Sequence, residues 1–263
     1  MSELLKRLGS KERRGSKPRC HWLTHGPAEA VASRLTALVA PWASVSPTDR
    51  WMPEGFEIRK EAQLHQATRL LDGNIRRLLG LWWLPPERQD ARTPNFDIAS
   101  TCLIEGRPGL LLVEAKAHDE ELKKEVVGRS LTKDASDDRK ASHLTIEQAI
   151  AAAQKGLSSA TSLPWRIARD SHYQMSNRFA WAWKLPECGI PVVLVYLGFL
   201  NASEMADLGE PFSNQNAWEA LVKTHSAPLF PAEVWNRRWS VNGVPFVPLI
   251  RSVEEALGQE AGS

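Results

Sequence analysis

Glu114 and Lys116 stand two residues apart at the end of the apolar run Leu110-Leu111-Leu112-Val113. In an extended strand residues i and i+2 share a face, so this carboxylate and ammonium would project together while Val113, Ala115 and Ala117 face the opposite layer. A charged pair at the end of such a run needs compensation, because an uncompensated buried charge costs several kcal/mol. Asp97 can join them: it lies on the partner strand of a predicted hairpin, and pairing across a short turn would bring its carboxylate beside Glu114. Two carboxylates so placed begin a cage of hard oxygen ligands, and a bound Mg²⁺ would supply the missing compensation. The plainer alternative is a structural ion pair at a strand end.

Context selects this acid-x-lysine pair over the two others in the chain, Glu121-Leu122-Lys123 and Asp138-Arg139-Lys140, neither of which lies in an apolar strand. Signatures of other chemistries are missing. There is no GxSxG nucleophile turn, no HExxH, no GxxxxGK[ST] phosphate loop and no GxGxxG. Cys20, Cys102 and Cys188 are scattered without CxxC or CxxH spacing and read as reduced, mostly buried thiols.

The elements that would present these residues follow from periodicity. Leu64, Ala67, Leu71, Ile75 and Leu78 recur at three- and four-residue steps, predicting a helix over 59–79 whose buried stripe Glu61 extends. Residues 81–84 suit a short strand and 85–94 a polar loop opened by two prolines. Strands over 95–104 and 109–117 are joined by Glu105-Gly106-Arg107-Pro108, a composition suited to a hairpin. Residues 119–140 are dense in both charge signs, predicting a solvated helix, a mobile loop or an insertion. Helical patterns at 144–159 and 171–185 precede a continuous apolar run over 190–200, as expected of a strand covered on both faces. A helix near 217–223 and two short strands within 239–250, turning at Asn242-Gly243, complete the pattern.

Asp97, a spacer of 16 residues, and then Glu114-Ala115-Lys116 at the end of an apolar strand resembles the PD-(D/E)xK nuclease superfamily. Phe96 precedes Asp97 where the family's nominal proline would stand, and Pro94 lies three residues before the acid. The family core runs helix, three-stranded meander, helix, strand, and the elements predicted over residues 57–200 are similar in order. The resemblance implies an α/β, restriction-endonuclease-like core at 57–200, preceded by a basic arm and helical elaboration at 1–56 and followed by an α/β extension at 201–263. It further implies that Asp97 and Glu114 ligate Mg²⁺, with Mn²⁺ able to substitute and the Ala115 carbonyl as a further ligand. Lys116 would orient or help deprotonate the attacking water, and Glu61 would be an optional acid from the first helix. The polar residues of Ser171-His172-Tyr173-Gln174-Met175-Ser176-Asn177-Arg178 either face the site, as the corresponding helix often does in the family, or form an ordinary helix surface. The implied activity is metal-dependent hydrolysis of phosphodiester bonds, as an endonuclease acting on DNA, with RNA left open. The alternative is a catalytically silent nucleic-acid-binding subunit of a larger complex, which would not need an intact triad.

The composition, 43% hydrophobic and 24% charged, excludes a collagen, a disordered acidic tail and a membrane bundle. The longest apolar stretch, 190–200, is too short to cross a bilayer, and the first residues carry charges where a secretory segment would be apolar. A cytoplasmic protein without a membrane partner is expected. The net charge of +2 does not oppose a nucleic-acid partner. Between residues 6 and 19, seven cations face the single acid Glu12, giving either a solvated mobile terminus or a phosphate-contacting arm. Residues 27–40 read as a short amphipathic helix with proline in its first turn. With 11 Trp against 2 Tyr, most indoles are expected to pack in the core rather than stack on bases. Trp235-Asn236-Arg237-Arg238-Trp239 is the best secondary candidate for nucleic-acid contact. A homodimer would suit double-strand cutting, but no heptad or exposed apolar face marks its interface.

Overall fold

A computed structural model of the chain describes residues 3–257, with the Lys11 side chain outside the described set. The short helix α1 (Glu3–Lys6) is followed by α2 (Ser16–Leu23), α3 (Ala28–Val39) and two brief strands, β1 (Ala43–Ser44) and β2 (Trp51–Met52). Helix α4 (Gly73–Trp83) precedes the hairpin of β3 (Ile98–Ile104) and β4 (Arg107–Lys116). Next come α5 (Asp119–Lys123), the long α6 (Asp137–Thr161), α7 (Tyr173–Glu187) and β5 (Val192–Leu200). The described chain closes with α8 (Gln215–Ser226), β6 (Trp239–Val241) and β7 (Val244–Glu254).

All strands join one mixed sheet in the order β1-β3-β4-β5-β7-β6, with β2 also paired to β3. The predicted hairpin forms, but its turn is tighter than the four residues proposed. Glu105 and Gly106 alone make it, with φ of 52° and 74°, the left-handed pair that matches strand twist, so Arg107 and Pro108 already belong to β4. Strand β4 runs parallel to β5, placing Glu114 opposite Tyr196 and Lys116 opposite Gly198. Beyond residue 200 the described chain extends this sheet through β7, which runs parallel to β5, and the predicted Asn242-Gly243 turn connects it to β6.

Both faces of the sheet are covered, which is why β4 and β5 read as unbroken apolar runs. Leu110 and Leu112 point into the core made with α4, α6, α7 and α8, whereas Leu111, Val113 and Ala115 point toward α2 and α3. The period of two therefore sends Glu114 and Lys116 together toward the α7 layer, as the sequence predicts.

The helix predicted over 59–79 is not a single helix. Residues 59–72 are irregular apart from one tight turn at Leu64–Gln66, and α4 starts only at Gly73, where the Asp72 carboxylate accepts hydrogen bonds from the Asn74 and Ile75 amides. The cause is long-range pairing: Ala62 and Phe96 exchange backbone hydrogen bonds of 3.3 and 3.0 Å, which pulls this segment out of helical geometry. Leu64, Ala67 and Leu71 are buried from this loop, while Leu78 is exposed. The strand predicted at 81–84 is instead the end of α4, anchored by buried Leu79 and Trp83, and it is β1 and β2 that pair with the outer edge of β3.

The basic arm is also built into the fold. Arg19 is buried and binds Glu204 through a 3.0 Å hydrogen bond and the Glu255 carbonyl through one of 2.9 Å, while Arg14 pairs with Asp207 and Lys17 with Glu12. It is a clamp on the loop after β5 rather than a mobile arm. Trp82, Trp83, Trp181 and Trp183 cluster in the core. The secondary nucleic-acid candidate is tied up in part, with Arg237 left exposed and its guanidinium 4.8 Å from the Trp239 ring centroid. Trp235 is buried and donates to the Ser226 hydroxyl, Arg238 pairs with Glu105, and Asn236 accepts from the Ile250 amide. Cys20 and Cys102 are buried free thiols and Cys188 is half-buried. Among the described residues no helix is long and apolar enough to cross a membrane.

A β-carbon at Gly198 would lie 2.6 Å from the indole of Trp218, whose Nε1 donates to the Tyr196 carbonyl. Gly198→Ala should therefore lower stability by about 1–3 kcal/mol, the usual cost of overpacking. Urea unfolding checks this, and an unchanged midpoint would mean that the ring yields freely.

Candidate active site

The hairpin register brings Asp97, which directly precedes β3 instead of lying within a strand begun at 95, to the charged end of β4. The Asp97 amide donates to the Val113 carbonyl at 3.0 Å, and its Oδ2 accepts from the Ala115 amide at 2.7 Å. Its carboxylate is thus tied to the backbone between Glu114 and Lys116. The three residues singled out from the sequence converge at one end of β4.

Helix α7 supplies the opposite wall. Gln174 and Arg178 are four residues apart, hence on one helical face, and both reach Glu114. Arg178 Nε donates to Glu114 Oε2 at 2.5 Å, Gln174 Nε2 donates to Oε1, and Lys116 Nζ donates to the same Oε1 at 2.5 Å. Lys116 also makes a 2.6 Å ion pair with Glu125. The Arg178 guanidinium is held over the Phe96 ring, 5.0 Å from its centroid, and donates to Asn177 Oδ1. Glu114 is 1% exposed and Lys116, Arg178 and Glu125 are similarly enclosed, so these charges meet with little water between them.

That enclosure sets the protonation states. Burial, reinforced by the negative charge of Glu114, pushes the Asp97 carboxyl up to about 8. Burial also works against ionised Glu114, but Arg178 and Lys116 outweigh it and hold that carboxyl below its ordinary value. For Lys116 burial is opposed by Glu114, Glu125 and Asp97, which together keep the amine above the lysine range. Glu125 rises to about 7, mainly through burial and against the pull of Lys116. His225, 3.8 Å from Glu125, falls to about 4 through burial and then the nearby His172 and Lys116.

Glu61 approaches the site from the extended stretch beside Phe96, not from a first helix. Its Oε2 accepts from Asn95 at 2.8 Å and its Oε1 lies 3.6 Å from Lys17 Nζ, so it joins neither Glu114 nor Lys116. The polar face of 171–178 does turn toward the site, through Gln174 and Arg178. Sequence reasoning missed Glu125, which sits in the charge-dense segment set aside as solvated; the only local hint is Leu122, buried one turn earlier. It also missed Glu121, whose Oε2 accepts from the Ala117 amide just beyond the strand.

Asp97 and Glu114 would be the hard oxygen donors to a divalent cation, although both Glu114 oxygens already accept from side chains. Among the described residues no group of three or more His, Cys, Asp or Glu is arranged to hold an ion. Mg²⁺, however, is commonly held by one or two carboxylates, with water and substrate phosphate completing its ligands. The raised Asp97 carboxyl fits such an ion, because two carboxyls kept from ionising together are what a divalent charge relieves. Glu114 would share that ion with the three side chains already bound to it.

Removing Arg178 strands a buried carboxylate, so Arg178→Ala should cost roughly 3–5 kcal/mol. Adding Glu114→Gln should restore part of it, a coupling that urea unfolding of the double-mutant cycle measures. A second expectation concerns pH. Asp97 ionises at about 8 in the fold but near its ordinary, far lower value when unfolded, so between these the folded state carries the extra proton and loses stability as pH rises. In EDTA, Asp97→Asn should flatten that decline, and parallel melting-temperature profiles for wild type and variant would count against a raised carboxyl. No family model matches the chain, and no curated protein or solved structure does either, so the reading of this site rests on its own geometry.

Proposed function

We propose that the chain is a metal-dependent nuclease hydrolysing phosphodiester bonds in DNA, with Asp97, Glu114 and Lys116 at its centre. The observation that carries this is the convergence of two carboxyls and a lysine at one end of β4, with Asp97 anchored on the Ala115 amide between the other two. The order of elements supports it. Helix α3, the short strands β1 and β2, the hairpin β3–β4, helix α7 and strand β5 come in the order expected of a PD-(D/E)xK core, with α4 interposed between β2 and β3 and α5 and α6 between β4 and α7, and with the helix and first strand earlier than 59–84.

Asp97 and Glu114 would hold the Mg²⁺, which as a Lewis acid would offset charge developing on the scissile phosphate. Lys116 is held as an ammonium by Glu114 and Glu125, which makes it a donor that orients water or phosphate rather than the base that removes a proton. Gln174 and Arg178 fix the Glu114 carboxylate, so the donor that faces the substrate keeps one orientation.

One observation favours the silent, binding-only alternative. Both Glu114 oxygens are already bonded to Lys116, Gln174 and Arg178, a network that balances the buried charge by itself. Cleavage of supercoiled plasmid, linear duplex and single strands with Mg²⁺, Mn²⁺ or EDTA separates the two. Metal-dependent cutting that falls about 100-fold or more in Lys116→Ala and in Asp97→Ala is expected. Wild type and variants that are equally inert, yet all retard DNA in a gel, would replace the nuclease with the binding subunit.

A further inference from the structure

Four depressions on the surface share lining residues and so form one track past the candidate site. The first, about 470 Å³, has Lys17, Arg59, Lys60 and Arg92 around Glu61 and Asn95. Arg92 and Asn95 also line the second, about 320 Å³, whose walls include Tyr173, Gln174 and Arg178. Arg92 and Arg129 continue into a third of about 430 Å³, and Arg129 and Arg139 into a fourth of about 220 Å³. The carboxylates along this path are Glu61 and Asp90. Among the described residues, Lys60, Arg92, Arg129 and Arg139 form no ion pair with any carboxylate. Their charge is therefore free for an anionic ligand, and its repetition along a groove suits a chain of phosphates better than a single one.

The volume and lining of the second depression narrow the ligand. It is the one that Gln174 and Arg178, the side chains on Glu114, open onto, and its volume suits one nucleotide rather than a base pair within a duplex. Glu114 and Lys116 lie buried behind these side chains. Tyr173 flanks the same depression with the Arg129 guanidinium 5.8 Å from its ring centroid, an aromatic face beside a cation of the kind that single-strand binders use under a base. We infer that the track holds a single DNA strand, its phosphates along Lys60, Arg92, Arg129 and Arg139 and one unpaired nucleotide in the depression beside Tyr173. That this nucleotide leads to Glu114 and Lys116 rests on the nuclease reading, whereas the track itself rests on shape and charge.

The test is fluorescence anisotropy in EDTA, across a salt series, with an oligodeoxythymidine strand and a blunt hairpin duplex as probes. Arg92 and Arg139 are exposed, so the Arg92→Ala/Arg139→Ala double variant leaves the fold intact; Arg107→Ala, at the distant β3–β4 turn, is the control. The expected result is tighter binding of the strand than of the duplex. The double variant should weaken it and lower the logarithmic salt slope by about 0.7 for each arginine removed, with the control unchanged. Wild-type affinity in the double variant, or a duplex bound as tightly as the strand, overturns the inference. A wild type that binds the strand in this way but cuts nothing with Mg²⁺ defeats the nuclease reading and leaves the track. Metal-dependent cutting alongside full strand affinity in the double variant does the reverse.

Discussion

A carboxylate almost wholly removed from water must be met by opposite charge, and Glu114 imposes that condition on everything around it. Arg178 and Gln174 come from a helix, Lys116 from the same strand, and Glu125 from the loop beyond, so this group of contacts ties the sheet to its covering layer at its polar end. The charges do not close neatly. Lys116 and Arg178 are cationic, while Asp97 and Glu125 are left with carboxyls that titrate near neutrality. A site balanced in this way can accept one more positive charge, or an anion shared with one, without rebuilding its walls.

The rest of the fold keeps those walls still. The sheet is sealed on one side by α2 and α3 and on the other by α4, α6, α7 and α8. Indoles fill the gaps between helices: Trp82, Trp83 and Trp181 wedge α4 against α7, and Trp183 fills the space beside Gly156, where a β-carbon would lie 2.3 Å from its ring. The N-terminal residues close the far side through the pair of buried Arg19 with half-buried Glu204. Rigid placement of this kind is what lets α7 hold Gln174 and Arg178 at hydrogen-bonding distance from a strand.

What could be read from the sequence was what local physics decides. The alternation along 110–117, the turn at Asn242-Gly243, the helix before β5 and the apolar run of β5 itself depend on residues close in the chain, and each forms. The pairing of Asp97 with the end of β4 was legible for the same reason, since a short hairpin turn brings the two together even though its length was read as four residues rather than two. The first helix was not, because the apolar stripe at 64–71 is satisfied by burial in a loop once Ala62 pairs with Phe96. Glu125 was hidden because nothing beside it in sequence announces that the chain folds it against Lys116. The basic arm misled for the same cause: its partners Glu204 and Asp207 lie nearly the whole chain away.

The place of β7 in the sheet has a consequence for biosynthesis. It lies between β5 and β6, parallel to β5 along nine residue pairs, yet among the described residues it follows both of them in the chain. Until it arrives, β5 carries an open, strongly apolar edge directly beside the strand that bears Glu114, the kind of edge on which nascent chains pair wrongly. Docking of β7 is therefore what closes that edge, and mispairing is favoured until it does.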